Sequence, residues 1–255
     1  MMIKGGIRIG GLSRISGFDG DAATYFDRAG VTDATAKSQI NAFVIGLKAL
    51  GLWNGMVCWP LRSAQNKGSG TTAYSLGGLI TTSGTLTNGP TWGTDGITFD
   101  GVNDYISIPF ASKSIYSNFN FGGIFMASAN DGTRISIQSN TPWIGVFGTS
   151  IIGANDAGSS ISVGSYSLNS YLSVNYDKNG TANTIYRDGS SQGTFTGSVG
   201  LDTNPIYIGA YAPNAFYWSG KISIGYLFSQ SLTTTQNANF YTLYKTTLGT
   251  GLGLP

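Results

Sequence analysis

The stretch Gly96–Ile97–Thr98–Phe99–Asp100–Gly101–Val102–Asn103–Asp104–Tyr105–Ile106–Ser107–Ile108–Pro109 decides the fold class that the sequence predicts. Apolar and polar residues alternate from Ile97 to Asp100, and apolar residues return from Tyr105 to Ile108, as expected for two strands with one buried face. The intervening Asp-Gly and Asn-Asp pairs favour a turn, because they tolerate positive φ or bond their own backbone. The stretch therefore predicts a β-hairpin.

The composition extends this prediction to the whole chain. The 255 residues include 38 glycines and few charged residues, which is typical of a turn-rich all-β protein with a neutral, polar surface. This length suits one large β domain with an appendage. Further predicted strands include Met56–Leu61, Phe119–Ala127, Trp143–Phe147, Tyr171–Tyr176 and Lys221–Ser229. About a dozen short strands predict a two-sheet antiparallel jelly-roll sandwich over residues 53–248.

Several function classes are disfavoured by what the sequence lacks. A net charge of +2 gives no indication of a nucleic acid partner or an anionic membrane surface. No apolar run approaches the roughly 20 residues of a membrane span, and no secretory signal is visible, so we expect synthesis in a cytoplasm and no membrane insertion. The single cysteine, Cys58, lies in an apolar segment and is predicted to be a small buried hydrophobe.

The first 52 residues are predicted to be an anchor. Residues 1–19 form a glycine-rich arm in which Ile7, Ile9 and Leu12 are spaced apolar residues. The arm could add to a neighbouring sheet edge or pack as a first strand on its own domain. Residues 20–52 predict two helices, the first capped by Asp19 or Asp21 and ended by Gly30, the second capped by Thr32 or Asp33.

The second of these helices carries one apolar stripe, which includes Phe43 and Leu47. Such a stripe must pack on the β domain or on another protein. We predict the second arrangement, with Ile7, Ile9, Leu12, Phe43 and Leu47 forming an assembly interface. Residues 249–255, rich in glycine and leucine, are predicted to be a flexible tail.

Residues 96–245 resemble the laminin-G-like, concanavalin-A-like lectin and glucanase superfamily. Three segments carry the resemblance: Phe99–Ile106, then Tyr171–Asp177 with Thr184–Gly189, then Ile206–Gly209 with Phe216–Ile222, Tyr226–Phe228 and Leu232–Thr233. The order and spacing of these segments are specific for the fold, and they say little about function. The resemblance implies a concanavalin-A-like jelly roll in which a Leu-Thr pair precedes a short helix at Thr234–Leu243.

Residues 21–62 are similar to the leader of laminin-G-like proteins of tailed bacteriophages. The segments concerned are Ala22–Gly30, Asn41–Val44, Leu50–Trp53 and Trp59–Arg62. This resemblance implies a virion structural protein, either a capsid decoration or a tail or fibre component. It also implies other virion proteins as partners and a homo-oligomeric state.

An enzyme is the natural alternative, because the superfamily includes glycoside hydrolases. Retaining hydrolases use two carboxylates about 5 Å apart, and catalytic triads need a base. This chain has neither glutamate nor histidine, since all 12 acids are aspartates. We therefore predict that the chain is not an enzyme.

Two kinds of binding site are left. Calcium is a candidate ligand of Asp100 and Asp104, although aspartates in tight turns more often bond backbone. No other cofactor is expected. A glycan on the host surface is a candidate ligand of Tyr211, Asn214, Tyr217 and Trp218, which lie in one aromatic loop. The alternation of Phe216 and Trp218 equally indicates an inward-facing strand. A free carbohydrate-binding lectin is thus the alternative to the virion protein.

Overall fold

The computed structural model describes residues 17–110, 116–129, 142–147, 150–154, 160–199, 205–211 and 215–255. Its three helices are Gly20–Ala29 (α1), Ala34–Ala49 (α2) and Thr234–Thr246 (α3), and two short 3-10 turns span Trp53–Gly55 and Ser63–Gln65. The predicted helix ends are confirmed: Asp19 caps α1, Gly30 ends it with φ 66°, and Asp33 accepts the N–H of Ala36 at the start of α2.

The described residues form fifteen strands. They are Met56–Pro60 (β1), Thr72–Ala73 (β2), Gly84–Thr87 (β3), Thr91–Trp92 (β4), Ile97–Asp100 (β5), Tyr105–Ile108 (β6), Phe119–Ala127 (β7), Trp143–Phe147 (β8), Ser150–Ala154 (β9), Ser160–Ser165 (β10), Leu172–Asn179 (β11), Ala182–Arg187 (β12), Ser190–Thr196 (β13), Ile206–Ile208 (β14) and Ser219–Phe228 (β15). These strands include the ones predicted within the described ranges and four short strands that were not predicted, β2, β3, β4 and β9. All the pairs between these strands are antiparallel.

The predicted all-β sandwich is confirmed, with one layer divided in two. The first layer is an eight-stranded sheet in the order β13-β12-β11-β7-β15-β5-β4, with β1 paired to β15. The second layer consists of the sheets β14-β6-β3-β2 and β10-β9-β8. One apolar core joins the layers and includes Trp59, Phe121, Val146, Tyr176 and Ile206.

The segment 97–108 is not the predicted hairpin. Strand β5 pairs with β4 and β15 in the large sheet, whereas β6 pairs with β3 and β14 in the opposite layer. Residues 101–104 therefore form a corner that carries the chain between layers. Alternation predicts a buried face for each strand but does not identify the partner, because that depends on strands distant in the sequence.

The helices form a second core on the outer face of the large sheet. The ring of Phe43 lies 6.2 Å from that of Phe240 and 6.4 Å from that of Tyr244, both in α3. The predicted assembly contacts Phe43 and Leu47 are thus wrong, since both are fully buried within the chain. Their stripe packs on its own domain because the sheet presents an apolar outer face that includes Ile124 and Tyr226. Ile7, Ile9 and Leu12 lie outside the described residues.

The predicted flexible tail also packs on this second core. Leu252 and Leu254 are buried, and the guanidinium of Arg62 donates to the carbonyls of Leu248 and Thr250. The apolar side chains that follow α3 pack on the same outer sheet face as the helices, and this packing holds Leu248, Leu252 and Leu254 in place. Cys58 is buried as predicted, and burial raises the pKa of its thiol. Within the described residues, no helix combines the length and apolar character needed to cross a membrane.

Candidate functional site: an aromatic patch on the smaller layer

Six aromatic residues, named here the aromatic patch, lie at the divided layer of the sandwich. They are Tyr105 on β6, Trp143 on β8, Tyr207 on β14, and Tyr211, Phe216 and Tyr217 in the connection from β14 to β15. Strand β6 buries Ile106 and Ile108, so Tyr105 projects from the opposite, outer face. Tyr207 pairs with Ser107 of β6 and thus stands on the same face.

The rings of the patch are in contact with one another. Tyr217 stacks on Tyr105, with centroids 6.5 Å apart and planes inclined by 29°, and Tyr207 meets Tyr105 edge-on at 5.7 Å. A second group is centred on Tyr211, which meets Phe216 at 5.8 Å and Trp143 at 6.4 Å. Edge-to-face and offset contacts of this kind hold rings in fixed positions. The patch therefore presents a preorganised aromatic surface.

Phe216 is the most unusual member of the patch. Its backbone adopts φ 55°, a left-handed conformation that is rare for a bulky residue, and its side chain is 45% exposed. A strained backbone costs about 1–3 kcal/mol and is concentrated at functional sites. The loop that holds it is closed by the N–H of Tyr211, which donates to the carbonyl of Ala215. The fold thus keeps an unfavourable backbone conformation that leaves an apolar ring exposed to solvent.

The predicted glycan-binding residues separate into three groups. Tyr211 and Tyr217 belong to the patch. Trp218 does not, because it is fully buried and meets Phe125 at 5.2 Å in the core. The alternation of this segment predicts that position for Trp218, but its prediction that Phe216 also faces inward is wrong, because Phe216 adopts φ 55° and is 45% exposed. Asn214 lies outside the described residues. Sequence reasoning missed Tyr105, Trp143 and Tyr207, although the outward position of Tyr105 in an alternating strand was a usable signal.

The chemistry of the patch suits a ligand with apolar faces and hydroxyl groups. Aromatic faces supply rigid apolar platforms, and the phenol groups of four tyrosines supply hydrogen-bond donors and acceptors. Burial raises the pKa of Tyr207, and the neighbouring Tyr105 raises it further, so this phenol keeps its proton at neutral pH. The patch thus offers neutral groups for recognition.

Asp100 and Asp104, the calcium candidates, both bond backbone in the corner between β5 and β6. Asp100 Oδ1 accepts the N–H groups of Val102, Asn103 and Asp104, at 2.8, 3.2 and 3.4 Å. Asp104 Oδ2 accepts the N–H of Asp100 at 3.1 Å. Among the described residues, no group of three or more aspartate, glutamate, cysteine or histidine side chains could hold a metal ion. Calcium binding here stays a prediction.

Comparison with known proteins supports the fold. No family model and no curated protein matches the sequence. Among solved structures, a mutant sialidase of Trypanosoma rangeli with trans-sialidase activity has a TM-score of 0.60 at 15% identity, over 84% of this chain and 40% of that chain. The ligand-binding domain of botulinum neurotoxin serotype D in complex with N-acetylneuraminic acid has a TM-score of 0.58 at 13% identity, over 75% and 52%.

This chain therefore spans less than half of the sialidase chain and about half of the neurotoxin domain. At such low identity the similarity establishes the β-sandwich fold alone. The T. rangeli sialidase is also among the similar structures in complex with sialic acid, with a TM-score of 0.56 at 16% identity over 84% of this chain and 40% of that chain.

The prediction that the chain is not an enzyme is contradicted by this comparison, because sialidases, which are glycoside hydrolases, stand among its structural neighbours. The prediction rested on the two-carboxylate mechanism and on the lack of a histidine base. Sialidases depart from that mechanism by using a tyrosine nucleophile. The absence of glutamate and histidine therefore does not exclude hydrolysis of a glycosidic bond.

Proposed function

We propose that this protein binds carbohydrate through the aromatic patch. The observation that carries the proposal is the stack of Tyr217 on Tyr105, with Tyr207 edge-on beside it, on the outer face of the β14-β6-β3-β2 sheet. A pyranose ring has an apolar face that matches an aromatic platform, and its hydroxyl groups match the phenols at the rim. Similar structures in complex with sialic acid or N-acetylneuraminic acid support a glycan as the class of ligand.

The strained position of Phe216 supports the same proposal. The ring of Phe216 is 45% exposed and therefore buries little apolar surface, while its backbone conformation is unfavourable. Its position is thus better explained by ligand recognition than by stability. Because this ring meets Tyr211, which in turn meets Trp143, it extends the platform beyond the stack of Tyr217 on Tyr105. The extension would accommodate more than one sugar ring of an oligosaccharide.

The test is a glycan array followed by titration of the best glycan, with Tyr217→Ser as the patch variant. We expect the wild-type protein to bind and Tyr217→Ser to lose about tenfold or more in affinity, because it loses the stacking ring. Mass spectrometry of the recovered glycan reports whether the bound sugar is also cleaved.

Tyr74→Ser is the matched control, because Tyr74 is a half-buried tyrosine that packs on the second core, which the helices form with the large sheet, away from the patch. It should keep wild-type affinity. An array without a binding glycan would overturn the proposal, as would equal affinity losses in the two variants.

A more specific proposal places this lectin-like sandwich on the virion of a tailed phage, as a homo-oligomer attached through residues 1–19 to other virion proteins. The resemblance of residues 21–62 to phage leaders supports it. Because Phe43 and Leu47 are internal, the proposed contacts are reduced to Ile7, Ile9 and Leu12. Repetition on a particle would raise weak glycan affinity through avidity.

The variant Ile7→Ser/Ile9→Ser/Leu12→Ser tests the virion proposal. It should fold as the wild type does but fail to co-sediment with phage particles, and light scattering should show a smaller assembly. A triple variant that still joins particles would refute attachment through the arm, without bearing on glycan binding.

A further inference from the structure

A concave surface lies on the opposite layer from the aromatic patch. This polar groove has a volume of about 880 Å³, and it runs between the outer face of β11, β12 and β13, the segment 116–118, and the residues that precede α3. Its volume is within the range of roughly 300–1,000 Å³ that is typical of small-molecule sites. None of its lining residues belongs to the patch.

Hydroxyl and amide groups dominate the lining of the groove. The floor is the cross-strand pair of Thr184 and Thr194, and the wall beside α3 carries Ser231, Thr233 and Thr234. Tyr116 supplies an aromatic side, and its ring is supported by Phe110 at 6.4 Å. Hydroxyls that donate and accept, together with one aromatic face, are what a sugar chain requires.

The lining is held in place before any ligand arrives. The hydroxyls of Thr184 and Thr194 lie 2.8 Å apart, and the hydroxyl of Tyr186 lies 3.3 Å from that of Thr234. Asp177 Oδ2 accepts the hydroxyl of Ser231 at 2.6 Å, which fixes the segment before α3. A preorganised polar surface keeps more of its interaction energy for the ligand.

The charges of the groove indicate an uncharged ligand. Among the described lining residues, Asp177 has the only carboxyl group, and both of its oxygens already accept hydrogen bonds from the protein. The neighbouring Lys178 donates to the carbonyl of Ser117 and is not a lining residue. Among the described lining residues, an anionic sugar would thus find a carboxyl group and no lysine or arginine.

From these observations we infer that the polar groove is a second binding site, separate from the aromatic patch, for a neutral oligosaccharide. Because the two sites lie on opposite layers, one chain would hold two glycan segments at once. That consequence rests on the proposed function of the patch, whereas the groove site itself does not.

The experiment is an NMR titration of the full chain with neutral hexasaccharides of glucose, mannose and N-acetylglucosamine, and with sialyllactose as the charged comparison. We expect at least one neutral hexasaccharide to shift the amide signals of Thr184, Thr194 and Ser231, and sialyllactose to leave them unchanged. The variant Thr184→Val/Thr194→Val keeps the β-branched shape and removes two hydroxyls, so affinity at the groove should fall at least about fivefold.

The matched control is Thr91→Val/Thr98→Val, which changes the exposed cross-strand threonine pair of β4 and β5 outside the groove. It should leave the shifts and the affinity measured at the groove amides unchanged. If the valine pair in the groove impairs folding, Tyr116→Leu removes the aromatic side instead, with the same expected loss. Unshifted groove amides up to about 10 mM of every neutral hexasaccharide would overturn the inference, as would equal losses in the control.

Discussion

Asp177 Oδ1 accepts the backbone N–H of Leu232 at 2.7 Å, which joins strand β11 to the segment that precedes α3. The same oxygen accepts the amide of Asn120, and Oδ2 accepts the hydroxyl of Ser231. Asn237 of α3 receives the amides of Asn120 and Asn175, so a buried polar network fixes the helix on the sheet. This network also positions one wall of the polar groove.

Replacing Asp177 by alanine tests the network. The donors on Ser231 and Leu232 would lose their acceptor, and the amide of Asn120 would keep only Asn237 as its acceptor. We expect the free energy of unfolding to fall by about 2–4 kcal/mol, because an unsatisfied buried polar group costs about 1–3 kcal/mol. Urea denaturation measures the change, and Asp177→Asn, which keeps one acceptor oxygen, should be milder. If Asp177→Ala were as stable as the wild type, that result would contradict the role of Asp177 as the acceptor of this network.

The pH dependence of stability should have opposite signs at Asp177 and Asp100. Burial raises the pKa of Asp177 above its ordinary value of 3.8, so its folded state binds the proton more tightly than the unfolded state. By linkage, the stability of the wild type relative to Asp177→Asn should fall as pH rises from about 4 through the raised pKa. Urea denaturation of both proteins from pH 3.5 to pH 8, in about six steps, measures this slope.

At Asp100, burial raises the pKa, but the N–H groups of Val102, Asn103 and Asp104 outweigh it and place the pKa below 3.8. The stability of the wild type relative to Asp100→Asn should therefore be full above about pH 4 and be lost as pH falls through the lowered pKa. Urea denaturation of the two proteins between pH 2 and pH 5, in about six steps, measures the difference. A slope of the same sign at both aspartates would refute these assignments.

Phe216→Asn should separate binding from folding. Asparagine tolerates positive φ, so we expect the free energy of unfolding to change by less than about 1 kcal/mol. Glycan affinity should fall by about two- to tenfold, because the platform loses one ring. Thermal melting and glycan titration measure the two effects. Leu168→Asn, at an exposed leucine outside the patch, should leave affinity unchanged.

Phe43→Ala should destabilise the chain itself. The ring is fully buried against Phe240 and Tyr244, and truncation of a buried phenylalanine costs about 3–5 kcal/mol. Ile45→Ala on the same helix is the control, because Ile45 is 50% exposed and should change stability by less than about 1 kcal/mol. Equal melting temperatures of the two variants would show that α2 does not pack as described.

The candidate sites differ in how much of them the sequence indicates. Tyr211 and Tyr217 are neighbours in one loop, so local reasoning finds them, but Tyr105 and Tyr207 join them only through the pairing of β6 with β14. Trp218 follows Tyr217 in the chain and yet points into the core. No local sequence pattern predicts the polar groove, because its lining residues come from separate parts of the chain.

The amino-acid sequence alone determined most local elements of this protein: the helix positions, two candidate caps for each of the first two helices, most of the longer strands, and the all-β class. Those features depend on interactions between residues close in the chain. Only the tertiary structure decided that β5 and β6 belong to opposite layers and that Phe43 is internal. It also brought the tyrosines of the aromatic patch into contact with one another and, on the opposite layer, gathered the hydroxyls that line the polar groove. These features depend on which distant surfaces exclude water from one another, and residue periodicity specifies a buried face without specifying what covers it.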